Sequence, residues 1–122
     1  MLPYQGAGAG SGIEDAYILA TLLTHPSIPC PPGTRDIAKV LDIYNRVRVP
    51  SAAAMMQATV KQGALYTLDV PELEPYKEGD RIPMDALIKV FTAASENWSW
   101  TATDPEEERR IAVDLLQVDS SL

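Results

Sequence analysis

The sequence predicts a mostly α-helical protein in which a glycine-rich loop is followed by about five helices. Apolar residues recur at i, i+3 and i+4 through most segments that lie outside the proline clusters. Capping-box spacings stand before two of those segments. No βαβ unit and no internal repeat is present. With 122 residues of which 46% are hydrophobic, the chain can bury one small globular core.

Residues 1–12, MLPYQGAGAGSG, hold four of the seven glycines and lack helical or strand periodicity, so a loop is expected there. From Ile13 onward Ile13, Ala16, Tyr17, Ala20 and Leu23 follow helical spacing, with Ile18, Leu19 and Leu22 widening the apolar arc. That predicts a helix from about Ser11 to Thr24, buried on most sides. Its start is marked by Ser11 and Glu14, three residues apart as a capping box requires. Pro26, Pro29, Pro31 and Pro32 make the next stretch a loop, because each removes an amide donor and turns its predecessor away from helix.

Ile37, Val40, Leu41, Tyr44 and Val47 give a second helix over 34–49, which Pro50 ends or kinks, and an Ala- and Met-rich third helix follows over 51–66. These two can join as one bent rod. Residues 67–82 mix prolines, acids and Gly79 and read as an irregular excursion. Ala86, Leu87, Val90, Phe91 and Ala94 share one face of a fourth helix, 84–96. Asp104, Pro105 and Glu107 supply a cap, a proline at the first helical position and a second capping box for a last helix reaching about Val118.

The formal net charge of -7, with scattered basic residues, argues against nucleic acid and anionic lipid, both of which need clustered Lys and Arg. A single cysteine, Cys30, and a single histidine, His25, leave neither a disulfide framework nor ordinary zinc spacing. No apolar run approaches 18 residues and no signal-peptide pattern opens the chain. The expectation is a cytoplasmic protein without a membrane span.

Gly6, Gly8, Gly10 and Gly12 at every second position allow repeated positive φ, so consecutive amides can face one concavity at a helix start. Unpaired amides and the helix dipole there favour negative charge by roughly 0.3–1 kcal/mol at exposed sites. The spacing does not make a dinucleotide fingerprint, a P-loop or a nucleophile elbow. On these grounds the anion stays open, and a flexible Gly/Ala lead-in to a core helix is the plain alternative.

The run Leu2-Pro3-Tyr4-Gln5-Gly6-Ala7-Gly8-Ala9-Gly10-Ser11-Gly12-Ile13-Glu14-Asp15-Ala16 resembles the second FAD-binding segment of FAD-dependent aromatic-ring monooxygenases. That group includes salicylate hydroxylase and p-hydroxybenzoate hydroxylase, and its pattern is x-L-P-x-x-G-x-G-x-x-x-x-x-E-D-A. Tyr44, Arg48 and Pro50 are similar to the family's Tyr-x-x-x-Arg-x-Pro helix, and Trp98, Trp100 and Asp104 resemble a pattern near the end of fungal members. The resemblance implies that Pro3 lies against the flavin ring edge, and that Gly8, Ala9 and Gly10 offer backbone contacts at its pyrimidine end. It implies FAD as cofactor, NAD(P)H as reductant and hydroxylation of an aromatic compound, the protein supplying position and field.

The family's amino-terminal G-x-G-x-x-G segment, its strand-rich substrate-binding part and its Gly-Asp motif have no counterpart in these residues. The resemblance therefore implies a C-terminal portion of the FAD-binding monooxygenase fold, inactive by itself and binding FAD when the amino-terminal part is supplied. Its divisions are a flavin-contact glycine loop (1–12), a helical part of the FAD-binding domain (13–66) and a C-terminal helical extension (67–122). The competing reading is a non-catalytic helical interaction module that docks on a partner or self-associates through exposed apolar helix faces.

Other residues read as structural. His25, in a proline loop, is expected at the surface or as a cap, and Cys30 as a buried or incidental thiol rather than a nucleophile. Trp98 and Trp100 are expected to share a face only in an extended segment. Glu106 to Glu108 read as a solvated first turn, and Met55 and Met56 cannot both face one core. For Arg46 and Arg48 a structural ion pair, with Glu14 or Asp15, is favoured over substrate binding.

Overall fold

The computed structural model describes residues 1–120. Four α-helices form, α1 (Ala7–Leu23), α2 (Thr34–Tyr66), α3 (Met84–Glu96) and α4 (Pro105–Ser120), with short 3-10 turns at Pro3–Gln5 and Ser99–Ala102. There is no strand among the described residues, and no helix of them is long and apolar enough to cross a membrane.

Two of the five expected helices are one, because α2 runs on through Pro50. The missing amide leaves the Arg46 carbonyl without its helical donor, yet Pro50 is exposed and water can serve that carbonyl. Ala52, Ala53, Ala54, Met55 and Met56, all good helix formers, then resume the ladder at once.

A larger correction concerns the front of the chain. The expected loop over 1–12 ends at Gly6, whose φ of 60° closes the Pro3–Gln5 turn, and α1 begins at Ala7, four residues before the expected Ser11 cap. Gly8, Gly10 and Gly12 are helical, and of the four glycines only Gly6 has positive φ. Burial explains the extension, since Ala7 and Ser11 are 4% and 6% exposed and continue, one turn at a time, the stripe that ends in Ile18 and Leu22. Packing of that stripe outweighs the poor helix propensity of glycine, about 1 kcal/mol each. Ser11 is thus a core residue inside the helix and caps nothing. Nor is α1 buried on most sides, for Ile13 is 72% exposed and Tyr17 and Leu23 face outward.

The chain divides into two compact units, one of residues 7–53 with 104 onward and the other of residues 1–6 with 54–103. In the first unit α1 packs on α4, and Ile18, Leu22, Ile28, Val40, Ile43, Val47, Ala112 and Leu116 form the core. Fully burying a side chain such as Leu22 or Ile43 contributes roughly 1.5–3 kcal/mol. The buried face of α2 is rotated from the expected one: Val40, Ile43 and Val47 point inward while Ile37 and Leu41 are exposed. The α4 start is as expected, Asp104 accepting from the Glu106 amide at 3.0 Å ahead of Pro105.

In the second unit Leu65, Leu73 and Val90 form a smaller core with Val70, Tyr76 and Ile82 around it. The α2 helix ends there in a 6→1 bond from the Asp69 amide to the Ala64 carbonyl, with Leu68 at a φ of 60° in a position that glycine usually takes. On α3 the buried side is Val90 with Ala86, Ala93 and Ala94. Phe91, expected inward, is 65% exposed, and Met84 and Ile88 are exposed beside it in helical spacing.

Replacing Pro50 tests how α2 survives its break. Pro50→Ala restores a donor at an exposed position, so unfolding free energy in urea should rise by about 1–3 kcal/mol. A fall in stability would mean that the break itself is needed by the packing around it.

Candidate functional site

Each residue expected at a flavin site sits at an exposed chain position. Pro3 opens the 3-10 turn of the second unit, and Gly8, Ala9 and Gly10 lie in the first turn of α1 in the first unit. In a helix starting at Ala7 the amides of Ala7, Gly8 and Ala9 precede the first intrahelical acceptor. They therefore project along the axis together with the positive end of the dipole. The Gly10 amide is used within the helix, so two of the three expected backbone contacts keep their donors free. A side chain built at Gly8, Gly10 or Gly12 would meet nothing within 4 Å. Neither backbone strain nor internal packing calls for glycine at these three positions.

The anchor of this segment is Arg48. Its side chain is 3% exposed, and Nε donates to Asp15 Oδ1 at 2.7 Å while Nη2 donates to Glu14 Oε2 at 3.1 Å. Nη1 donates to Glu108, which also accepts from the Ser51 hydroxyl. One guanidinium thus joins α1, α2 and α4. Burial alone disfavours its charge, but the hydrogen bonds it donates to Asp15 and Glu108 outweigh that and hold it above the ordinary arginine value. The Tyr44 phenol beside it is pushed up, first by burial and then by the Asp15 charge.

The structural ion pair expected for Arg48 with Glu14 or Asp15 includes both. Arg46 instead makes an exposed pair with Asp42 at 3.7 Å. The acidic start of α4 is no simple solvated turn, since Glu106 accepts from Tyr17 and pairs with Arg109 at 2.7 Å. These bonds, Tyr17 first, hold the Glu106 carboxyl below its ordinary value, and Glu106 in turn raises the Tyr17 phenol.

A polar cluster in the second unit had been missed altogether. Gln5, 4% exposed, donates from Nε2 to the Asn97 carbonyl at 2.8 Å and more weakly to Gln62 Oε1 at 3.5 Å. It accepts from Trp100 Nε1 at 3.0 Å. Asn97 Nδ2 donates to both Ala58 O and Gln62 Oε1 at 2.8 Å. Gln62 is fully buried, and its Nε2 has no hydrogen-bond partner, a cost of about 1–3 kcal/mol. A signal existed in the sequence: Met55, Thr59, Gln62 and Leu65 occupy the buried register of α2, so two polar residues fall where apolar ones belong.

Trp98 and Trp100 do share a face, though across a 3-10 turn rather than an extended segment, with ring centroids 6.4 Å apart and planes 22° from parallel. His25 Nδ1 accepts from the Ser27 amide at 3.2 Å, a bond within the proline loop rather than a helix cap. Cys30 is exposed, as is Met56, whereas Met55 is buried. A cleft of about 440 Å³ among Leu68, Asp69, Pro71, Leu73, Glu74 and Tyr76 brings two acids near a phenol without a base–nucleophile pair. Among the described residues no cluster of His, Cys, Asp and Glu could hold a metal ion.

Arg48→Met should leave Glu14, Asp15 and Glu108 facing one another. Breaking a fully buried pair costs roughly 3–5 kcal/mol; partial exposure of the three acids reduces this to about 2–4 kcal/mol, read as a lower urea midpoint. A change under about 0.5 kcal/mol would show that the cluster holds nothing together.

No family model and no solved structure matches the chain. Among characterised proteins, a salicylate hydroxylase of Pseudomonas putida is 44% identical over 100 residues, 82% of this chain and 20% of that protein. The FAD-dependent monooxygenase str9 of Strobilurus tenacellus is 31% identical over 107 residues, 85% of this chain and 20% of that protein. The 6-methylsalicylate 1-monooxygenase atA of Aspergillus terreus is 30% identical over 117 residues, 93% of this chain and 22% of that protein. The chain spans about a fifth of the length of the curated relatives it matches. It is a distant homologue of the FAD-dependent aromatic monooxygenases of the salicylate-hydroxylase-like kind.

Proposed function

We propose that this chain is the C-terminal, flavin-facing portion of an NAD(P)H- and FAD-dependent monooxygenase that hydroxylates aromatic compounds, and that it is inactive by itself. Homology to such enzymes supports the reading, and the start of α1 carries it structurally. Gly8, Gly10 and Gly12 each weaken the helix, and nothing inside the chain fills the space beside them. Glycine at such positions lets another group approach the backbone closely.

An electron-rich ring edge fits there. The free amides of Ala7, Gly8 and Ala9 favour negative charge, and no side chain stands in the way. Bound FAD, reduced by NAD(P)H, supplies the oxygen-activating chemistry. The chain's own part is to orient: Pro3 takes the ring edge, and the backbone of Gly8, Ala9 and Gly10 takes the pyrimidine end. Fixed amides stabilise charge there without having to reorganise. Arg48 keeps Glu14 and Asp15 paired, so the two acids two turns behind that helix start do not cancel its positive end.

The test is a chimera in which these residues replace the matching 100-residue stretch of the Pseudomonas putida salicylate hydroxylase. FAD retention and NAD(P)H-dependent hydroxylation are expected, and a stable chimera devoid of flavin would refute the proposal. Gly10→Ala should act in opposite directions: about 0.5–1 kcal/mol more stable in the isolated chain, several-fold weaker for FAD in the chimera.

The second reading, a self-associating interaction module, is favoured by the exposed Met84, Ile88 and Phe91 on α3 and by Ile13 on α1. Light scattering on the isolated chain should then give a mass that grows with concentration and drops in Phe91→Ser. A monomer at every concentration removes it.

A further inference from the structure

The turn that carries Pro3 is held far more firmly than three residues need. Tyr4 lies in a notch on α2 where Gly63 stands, for a Cβ at Gly63 would come within 2.6 Å of the Tyr4 ring. The same ring meets Tyr66 edge-on at 6.3 Å. On the other side Gln5 is sunk in the cluster with Gln62, Asn97 and Trp100, both ends of its carboxamide engaged across 57 to 95 residues of sequence. Pro3, whose own φ is fixed by its ring, is left exposed beside these two anchors.

The cluster is not optimised for stability alone, since Gln62 Nε2 stays buried without a partner beside Gln5, and an apolar side chain in place of Gln5 would also leave Trp100 Nε1 without its acceptor. A buried polar cluster that specifies one geometry, at a cost in stability, is a device for positioning. We infer that Gln5, held by Trp100 and Asn97, is a positioning residue: it fixes the Pro3–Gln5 turn so that the proline ring is preformed as a contact for the flavin ring edge. This rests on the flavin reading given above and adds to it the residues that set the turn.

The test uses the salicylate hydroxylase chimera described above, which supplies the amino-terminal part, labelled with ¹⁵N, freed of flavin and titrated with FAD. With the segment unaltered the amide signals of Tyr4 to Gly6 and the indole Nε1–H signal of Trp100 should shift together and saturate. Gln5→Leu and Trp100→Phe should weaken FAD binding at least fivefold and abolish the shifts at Tyr4 to Gly6. Gly63→Ala keeps α2 helical while displacing Tyr4, so it should weaken binding similarly without lowering the melting temperature, which a merely structural role would not produce. Shifts in the unaltered chimera with unchanged affinity and shifts in all three variants would overturn the positioning role alone. A chimera carrying the unaltered segment that shows no shift at millimolar FAD would overturn the flavin reading and this inference with it.

Discussion

The first unit depends on a single buried guanidinium. Arg48 stands where α1, α2 and α4 meet, and its three nitrogens are spent on carboxylates, two from α1 and one from α4. Apolar packing of Ile18, Leu22, Ile43 and Leu116 supplies most of the cohesion there, but such packing is non-directional and tolerates sliding. A planar fork does not. It fixes the axial position of α1 against its neighbours, and with it the place of the amides that open that helix.

The two units solve the same problem with different chemistry. One uses charge, partly open to water, where three acids share one base. The other uses neutral amides, two of them buried, where Gln5, Gln62 and Asn97 exchange hydrogen bonds and an indole completes the set. Each arrangement fastens one flank of the Pro3–Ala16 run. The run itself, with its free amides and bare α-carbons, contributes little to its own stability. Rigidity is imported from the surrounding helices, through the buried Gln5, Ala7 and Ser11.

Helix positions were legible because 3.6-residue periodicity is a local property: α3 has the expected ends, and α1, α2 and α4 differ from expectation only near their termini or at Pro50. The glycine stretch was misread because propensity is also local. Ala7 and Ser11 are helical on account of what they bury, and no window of sequence contains the surface they bury against. The same limit hid Glu108, whose partner lies 60 residues earlier, and the Gln5 cluster, whose members are up to 95 apart. Arg48 was legible as an ion-pair residue for Glu14 or Asp15, but its third partner on α4 was not. The resemblance to flavin monooxygenases rested on the order of residues from Leu2 to Ala16, and the similarity to known monooxygenases supports it whatever conformation the stretch takes.

The glycines of α1 also set where that helix comes apart. Each enlarges the conformational freedom regained on opening, so the stretch from Ala7 to Gly12 can fray by itself while Glu14 and Asp15 stay clamped to Arg48. Unwinding that starts at the tip is halted two turns in, by a charge it cannot cheaply expose. The helix thus has a yielding mouth on a stiff stem, and the mouth can open while the three-helix core stays undisturbed.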